Sequence, residues 1–180
     1  MLLALLVIGP LACQRPNGFT ADIFTTTQIP GAPNLKGKLY LRGKHLRLDW
    51  GQFADVFDVQ QRKGWRIIDA AHAYQDLGSR DLSTYAPEMI DGSLCPHALV
   101  PSACKLLGTE KIGRRAVKKW DVYNPKGFHV YYWTDEALGI TLRMDLGDGD
   151  TYEVRNLTEH SVPDSMFSFP AGYTRMDKPF

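Results

Sequence analysis

Short alternating runs broken by tight turns, about ten residues apart, make up most of this chain and restrict it to an antiparallel all-β meander. Phe19–Gln28 is rich in Phe, Ile and Thr and breaks at Pro30-Gly31-Ala32-Pro33. Lys36–Arg42 and His45–Trp50 alternate on either side of Gly43-Lys44, a hairpin signal. Phe53–Gln61 and Trp65–Asp69 flank Arg62-Lys63-Gly64, and a short strand follows through Tyr74 and Leu77. The rhythm resumes with Gly108–Ile112, Ala116–Tyr123, Phe128–Asp135, Ile140–Leu146 and Thr151–Leu157. Sequential strands joined by tight turns lie beside one another.

One stretch breaks the rhythm. Residues 79–107 carry Pro87, Pro96, Pro101 and two cysteines, and Leu82, Tyr85, Met89 and Ile90 fall at helical spacing. The expectation is a helical, loop-containing insertion in a single domain spanning 14–180. The tail, Val162–Tyr173, holds Met166, Phe167, Phe169 and Tyr173 and is expected to dock on the sheet. In Phe128–Asp135, alternation puts Phe128, Val130 and Tyr132 on one face and His129, Tyr131 and Trp133 on the other. Rings on both faces suit a sheet covered on both sides.

The first thirteen residues, MLLALLVIGPLAC, are uncharged and almost wholly apolar. The apolar part is too short to span a bilayer, which takes roughly 20 residues, but has the length of a signal h-region. Pro10, Leu11 and Ala12 before Cys13 resemble a bacterial lipobox, with Pro10 where a branched aliphatic is usual and no basic n-region in front. Three readings stay open: export with lipidation at Cys13, export with plain cleavage, and a buried N-terminal element. Export would place the chain in the periplasm or anchor it to the outer membrane.

Cys95 and Cys104 close a short loop stiffened by Pro96 and Pro101. A disulfide there contributes roughly 2.5–3 kcal/mol by the chain-entropy model. Two free thiols, or a metal site with His97, are the alternatives; zinc wants four ligands and only three candidates lie here, so no metal is expected.

The chemistry-bearing motifs are sparse. Net charge is +1, without the basic excess of a nucleic-acid binder. The five histidines are scattered, and neither G-x-S-x-G nor a phosphate loop is present. No enzyme activity and no cofactor are expected. Asp145, Asp148 and Asp150 around Gly147 and Gly149 lack the EF-hand spacing and read as a tight turn. Asn156-Leu157-Thr158 matches a glycosylation sequon without meaning in a bacterial setting. Arg42, Arg47, Arg114 and Arg143 offer donors to a phosphate or a partner; salt bridges with Asp49, Glu110 or Asp145 are the plainer role. Lys118-Lys119 with Arg114-Arg115 forms a basic cluster suited to anionic headgroups or to guarding a strand edge.

Five ordered blocks carry a family likeness: GKLYLRGKHLRLDWG (Gly37–Gly51), GWRIIDAAHAYQDL (Gly64–Leu77), GTEKIGRRAVKKWDVY (Gly108–Tyr123), YYWTDEALGITLRMD (Tyr131–Asp145) and MFSFPAGYTRM (Met166–Met176). Together the chain resembles the outer-membrane lipoprotein-sorting and lipoprotein-carrier (LolA/LolB-like) superfamily over about Phe19 to Met176. The resemblance implies a strongly curved antiparallel half-barrel of about ten or eleven strands, with helices over an apolar concave face that accepts acyl chains of lipid or lipoprotein. Soluble carriers of that superfamily lack a lipid cysteine, so Cys13 points to an anchored subtype.

An acyl chain is captured by apolar area alone, at roughly 0.8 kcal/mol per buried CH₂. The candidate lining is Leu46, Leu48, Trp65, Ile67, Trp120, Tyr132, Trp133 and Leu142, with lid residues Tyr85, Met89 and Ile90. The alternative is a closed core of the same residues, in a structural or interaction module that contacts an envelope protein.

Overall fold

The computed structural model describes residues 17–78, 82, 84–86, 103–123 and 126–176. Twelve strands form one sheet: β1 (Gly18–Thr26), β2 (Lys36–Arg42), β3 (His45–Asp49), β4 (Ala54–Asp58), β5 (Lys63–Ile68), β6 (Ala73–Leu77), β7 (Ala103–Ile112), β8 (Arg115–Tyr123), β9 (His129–Asp135), β10 (Ile140–Asp145), β11 (Thr151–His160) and β12 (Thr174–Arg175). The spatial order is β12-β6-β5-β4-β3-β2-β1-β11-β10-β9-β8-β7. Every neighbour pair is antiparallel except β12 with β6. The expected half-barrel is present, with twelve strands in place of ten or eleven.

Ring contacts show which way the sheet curls. Neighbouring strands lie about 4.8 Å apart, and β2 and β1 separate β3 from β11. Yet Trp50, just after β3, and Tyr152 on β11 bring their ring centroids within 6.4 Å. Tyr85 bridges further, 5.3 Å from Tyr152 and 6.4 Å from Phe57 on β4. The face bearing these rings is therefore the concave one.

Register fixes what shares that face. Phe19, Ala21 and Ile23 of β1 stand opposite Leu41, Leu39 and Gly37 of β2. Leu39 and Leu41 face Leu48 and Leu46 of β3, and Leu46 faces Phe57 of β4. At the other end Trp120 faces Tyr132, which faces Met144, which faces Tyr152. These side chains form the main buried cluster.

The opposite, convex face holds a smaller cluster of Val56, Ile67, Val162 and Phe167, with Tyr40, Trp65, Met166 and Tyr173 packed on it. The C-terminal tail supplies its cover, as expected. A single 3₁₀ turn at Asp164–Phe167 lays Phe167 against His45, ring to ring at 5.6 Å. The backbone oxygens of Val162 and Met166 accept from Arg42 and Arg47 at 2.9 and 3.2 Å.

Within the insertion, Leu82 and Ala86 are fully buried against the main cluster, and the Ala86 amide donates to the Leu82 carbonyl at 2.9 Å, one helical turn. The structure departs from the expected insertion at its end: β7 begins at Ala103, so residues 103–107 belong to the sheet. Met89, Ile90, Cys95 and Met1–Cys13 lie outside the described residues.

Candidate functional site on the concave face

Leu46, Leu48, Trp120, Tyr132 and Tyr85 meet on the concave face. Leu46 and Leu48 have no exposed surface. Trp120 donates its indole Nε1–H to Thr134 Oγ1 at 3.1 Å, so its one polar atom is satisfied inside. Thr141 donates to the backbone oxygen of Thr84 at 3.1 Å and ties the helical turn to β10.

Trp65, Ile67 and Trp133 are corrected to the other face. Gly64 stands opposite Phe57, and a Cβ on Gly64 would meet the Phe57 ring at 2.5 Å. Gly64 therefore points to the concave side. Trp65 and Ile67 then alternate, Trp65 outward opposite Val56, and both join the convex cluster. Trp133 follows Tyr132 in an unbroken ladder and points away from it. Its ring lies between Lys119 and Arg143, each 4.8 Å from the centroid, and its Nε1–H donates to Glu110 at 2.7 Å. That bond, with one from Lys119, holds the Glu110 carboxyl below the usual carboxylate range. Leu142 sits at a register break of β10, between Thr141 and Arg143, and is buried in the main cluster.

Three concave features escaped the sequence reading. The first is Tyr152, whose buried hydroxyl has no hydrogen-bond partner among the described residues. Burial, with a lesser contribution from Tyr85, pushes its pKa well up. Tyr132 is pushed up to about 12, also by burial. The second is Asp55, 2% exposed and gripped by Arg66 through two bonds of 2.7 and 2.8 Å. The third is a cavity of ≈ 750 Å³ at the rim of this face, lined by Phe53, Arg66, Ile68 and Asp69, with the Arg66 guanidinium 4.3 Å from the Phe53 ring centroid. Tyr152 was legible as one member of the alternating Tyr152/Val154 pair; the Asp55–Arg66 pair needed the β4–β5 register.

The Asp145, Asp148 and Asp150 carboxylates accept backbone amides of Gly147, Asp150 and Gln28, the work of a tight turn. Among the described residues no cluster of His, Cys, Asp and Glu could hold a metal ion. Cys104 is half-buried against the main cluster at the start of β7.

No family model matches the chain, and no curated protein matches it in sequence. Solved structures do. An uncharacterized conserved protein from Thermus thermophilus superposes with a TM-score of 0.56 at 9% identity, over 89% of this chain and 90% of that one. PNGF-II superposes with a TM-score of 0.57 at 9% identity over 90% of this chain, which spans only 32% of PNGF-II. The likeness is one of fold. A LolA superfamily protein, NE2245 from Nitrosomonas europaea, aligns over 86% of this chain and 91% of its own at 11% identity, but its TM-score of 0.39 carries no argument about this protein.

Proposed function

We propose that the chain is an exported, lipid-anchored protein of the bacterial cell envelope that binds acyl chains of a lipid or lipoprotein against the concave face. The Tyr152 hydroxyl is the observation that carries this reading. A buried hydroxyl without a partner costs about 1–3 kcal/mol, and here it sits in an otherwise apolar interior beneath Tyr85. An ester or amide carbonyl at the head of an acyl chain would accept from it. Tyr85, with Leu82 and Ala86, belongs to a segment outside the sheet, so a ligand can gain the concave face by displacing that cover without breaking strand pairing. Binding rests on apolar contact and one hydrogen bond; no enzymatic step is part of the proposal. Export and anchoring rest on the sequence of Met1–Cys13. No helix among the described residues is long and apolar enough to cross a membrane.

A second reading has its own observation. Leu46, Leu48, Phe57 and Ile140 show no exposed surface, which a closed-core module contacting an envelope protein would also show. Native mass spectrometry of protein purified gently from its own envelope separates the two. A retained mass released by organic solvent supports the acyl-chain reading; a bare polypeptide supports the closed core. The same spectrum reports acylation of Cys13 and, through the loss of two protons, the proposed Cys95–Cys104 pairing.

A further inference from the structure

The sheet is not sealed all along. β11 pairs with β1 over almost its whole length, from Gly18 opposite His160 to Thr26 opposite Thr151. On its other side it meets β10 only at Thr151, Tyr152 and Glu153. Ile140 and Thr141 of β10 pair with β9 alone. Beyond Glu153, β11 therefore presents an edge with no partner strand among the described residues.

Register irregularities flank this seam on both banks. Leu142 is an extra residue in β10, between the Thr141–Thr134 and Arg143–Trp133 pairs. Asn156 and Leu157 stand in β11 where the register against β1 slips, and Asn156 takes φ 54°. Bulges of this kind re-aim side chains out of the regular face pattern. The tip of the β7–β8 hairpin comes up to the seam and completes a cavity of ≈ 550 Å³, continuous through shared walls with one of ≈ 210 Å³. The floor is apolar: Ile112, Leu142, Val154 and Leu157, all part of the main cluster or packed against it.

The rim is cationic. Four arginines line the two cavities, Arg114, Arg115, Arg143 and Arg155, against one acidic residue, Glu153. Asp135 takes up Arg115. Glu153 is shared: Arg155 holds it at 2.5 Å, while Arg143 Nε stands 3.9 Å away, beyond hydrogen-bond reach and without another partner. Arg114, exposed in the hairpin turn, has no ion pair among the described residues. The rim therefore carries positive charge in excess above an apolar floor.

We infer that the β10–β11 seam is a binding site for an anionic single-chain amphiphile, its acyl tail along Leu142, Val154 and Leu157 and its carboxylate or phosphate head on Arg114 and Arg155. This rests on the acyl-chain reading above and specifies the headgroup. An arginine supplies paired donors in the geometry that a carboxylate or phosphate accepts, and a charged head held at the surface leaves the tail to supply apolar area. The unpaired edge of β11 beside the seam equally offers amides to an extended acidic peptide; charge and floor together favour the amphiphile.

The test is calorimetric titration of the full chain with dodecanoate, with the uncharged monoglyceride of dodecanoate, and with inorganic phosphate. Each is run on the unaltered protein and on the double variant Arg114→Glu with Arg155→Gln. Both positions are exposed, so the variant keeps its fold. The expected result is a loss of about tenfold or more in dodecanoate affinity with monoglyceride affinity within about twofold. If both amphiphiles bind but neither responds to the double variant, the seam is overturned and the acyl-chain reading stands. If neither amphiphile binds the unaltered protein, both fall. Phosphate binding alone, lost in the variant, would reduce the seam to a site for a free anion and overturn the tail assignment. Protection of the 154–160 amides from hydrogen exchange by an acidic extended peptide, and not by dodecanoate, would assign the edge to a strand and overturn the amphiphile.

Discussion

The two faces of this sheet solve opposite problems with similar residues. The convex face sets rings against charged side chains, and Trp133 is itself buried between them. Lys119 and Arg143 flank Trp133, Arg155 lies 4.7 Å from the Phe24 ring, and Lys36 lies 5.5 Å from the same ring. The concave face gathers Leu46, Leu48, Phe57, Trp120 and Tyr132 away from water and keeps one buried ion pair at its rim and one unpartnered hydroxyl at its centre. Both faces bury unbonded polar atoms, the Nε of Arg47 and of Arg143 on the convex side and the Tyr152 hydroxyl on the concave one. Each arginine still places the rest of its guanidinium on a partner or a ring, whereas the hydroxyl is the one polar side-chain atom of Tyr152: the Asp55–Arg66 pair stabilises the rim, and the Tyr152 hydroxyl is left without a bond among the described residues.

Substitutions should therefore have unequal effects on the two faces. Arg66→Ala, which removes two charge-assisted hydrogen bonds from the buried Asp55 carboxylate, should cost about 1.5–3 kcal/mol in urea unfolding. A loss below about 1 kcal/mol would mean that water reaches Asp55. High pH should also strike the concave face. Tyr132 titrates near 10 when unfolded and at about 12 when folded. Its stabilising protonated state is thus intact below pH 10 and is lost as pH rises through 12, a decrease of about 2.5 kcal/mol. Tyr152 shifts the same way. Alkaline unfolding followed by phenolate absorbance checks the window, and a Tyr132→Phe variant should flatten it.

Smaller effects sharpen the contrast. Trp133→Phe removes the bond to Glu110 on the convex side and should cost about 1 kcal/mol, with acyl-chain affinity unchanged. Tyr152→Phe should do the reverse: stability unchanged or raised by up to about 1 kcal/mol, with affinity for an ester-headed ligand lowered. Arg155→Ala, in an exposed pair with Glu153, should move stability by no more than about 0.5 kcal/mol.

The meander was readable because turns such as Gly43-Lys44 and alternations such as Leu46/Leu48 are local signals. Faces were readable only in part. Alternation says that Tyr132 and Trp133 cannot share a side, but not which side is inside. That choice depends on cross-strand register, as with Gly64 beneath Phe57, which sends Trp65 and Ile67 outward. The start of β7 was hidden because Leu107 is an extra residue between the Leu106–Trp120 and Gly108–Lys119 pairs and breaks the period of two. The parallel β12–β6 pairing spans two residues and has no local signature. The β10–β11 seam is likewise a property of pairing: Arg114 and Arg143 stood out as candidate anion donors, yet only the register shows them converging on one opening.

Four tryptophans report on the sheet: Trp50 and Trp120 on the concave face, Trp65 in the convex cluster, and Trp133 buried against Lys119 and Arg143. A ¹⁵N spectrum of the indole N–H signals during titration with a monoacyl lipid tests the central claim most directly. The account predicts that the Trp50 and Trp120 signals move in proportion to bound lipid while Trp65 stays in place. Movement of Trp65 alone, or of none of the four in the presence of saturating lipid, would contradict it.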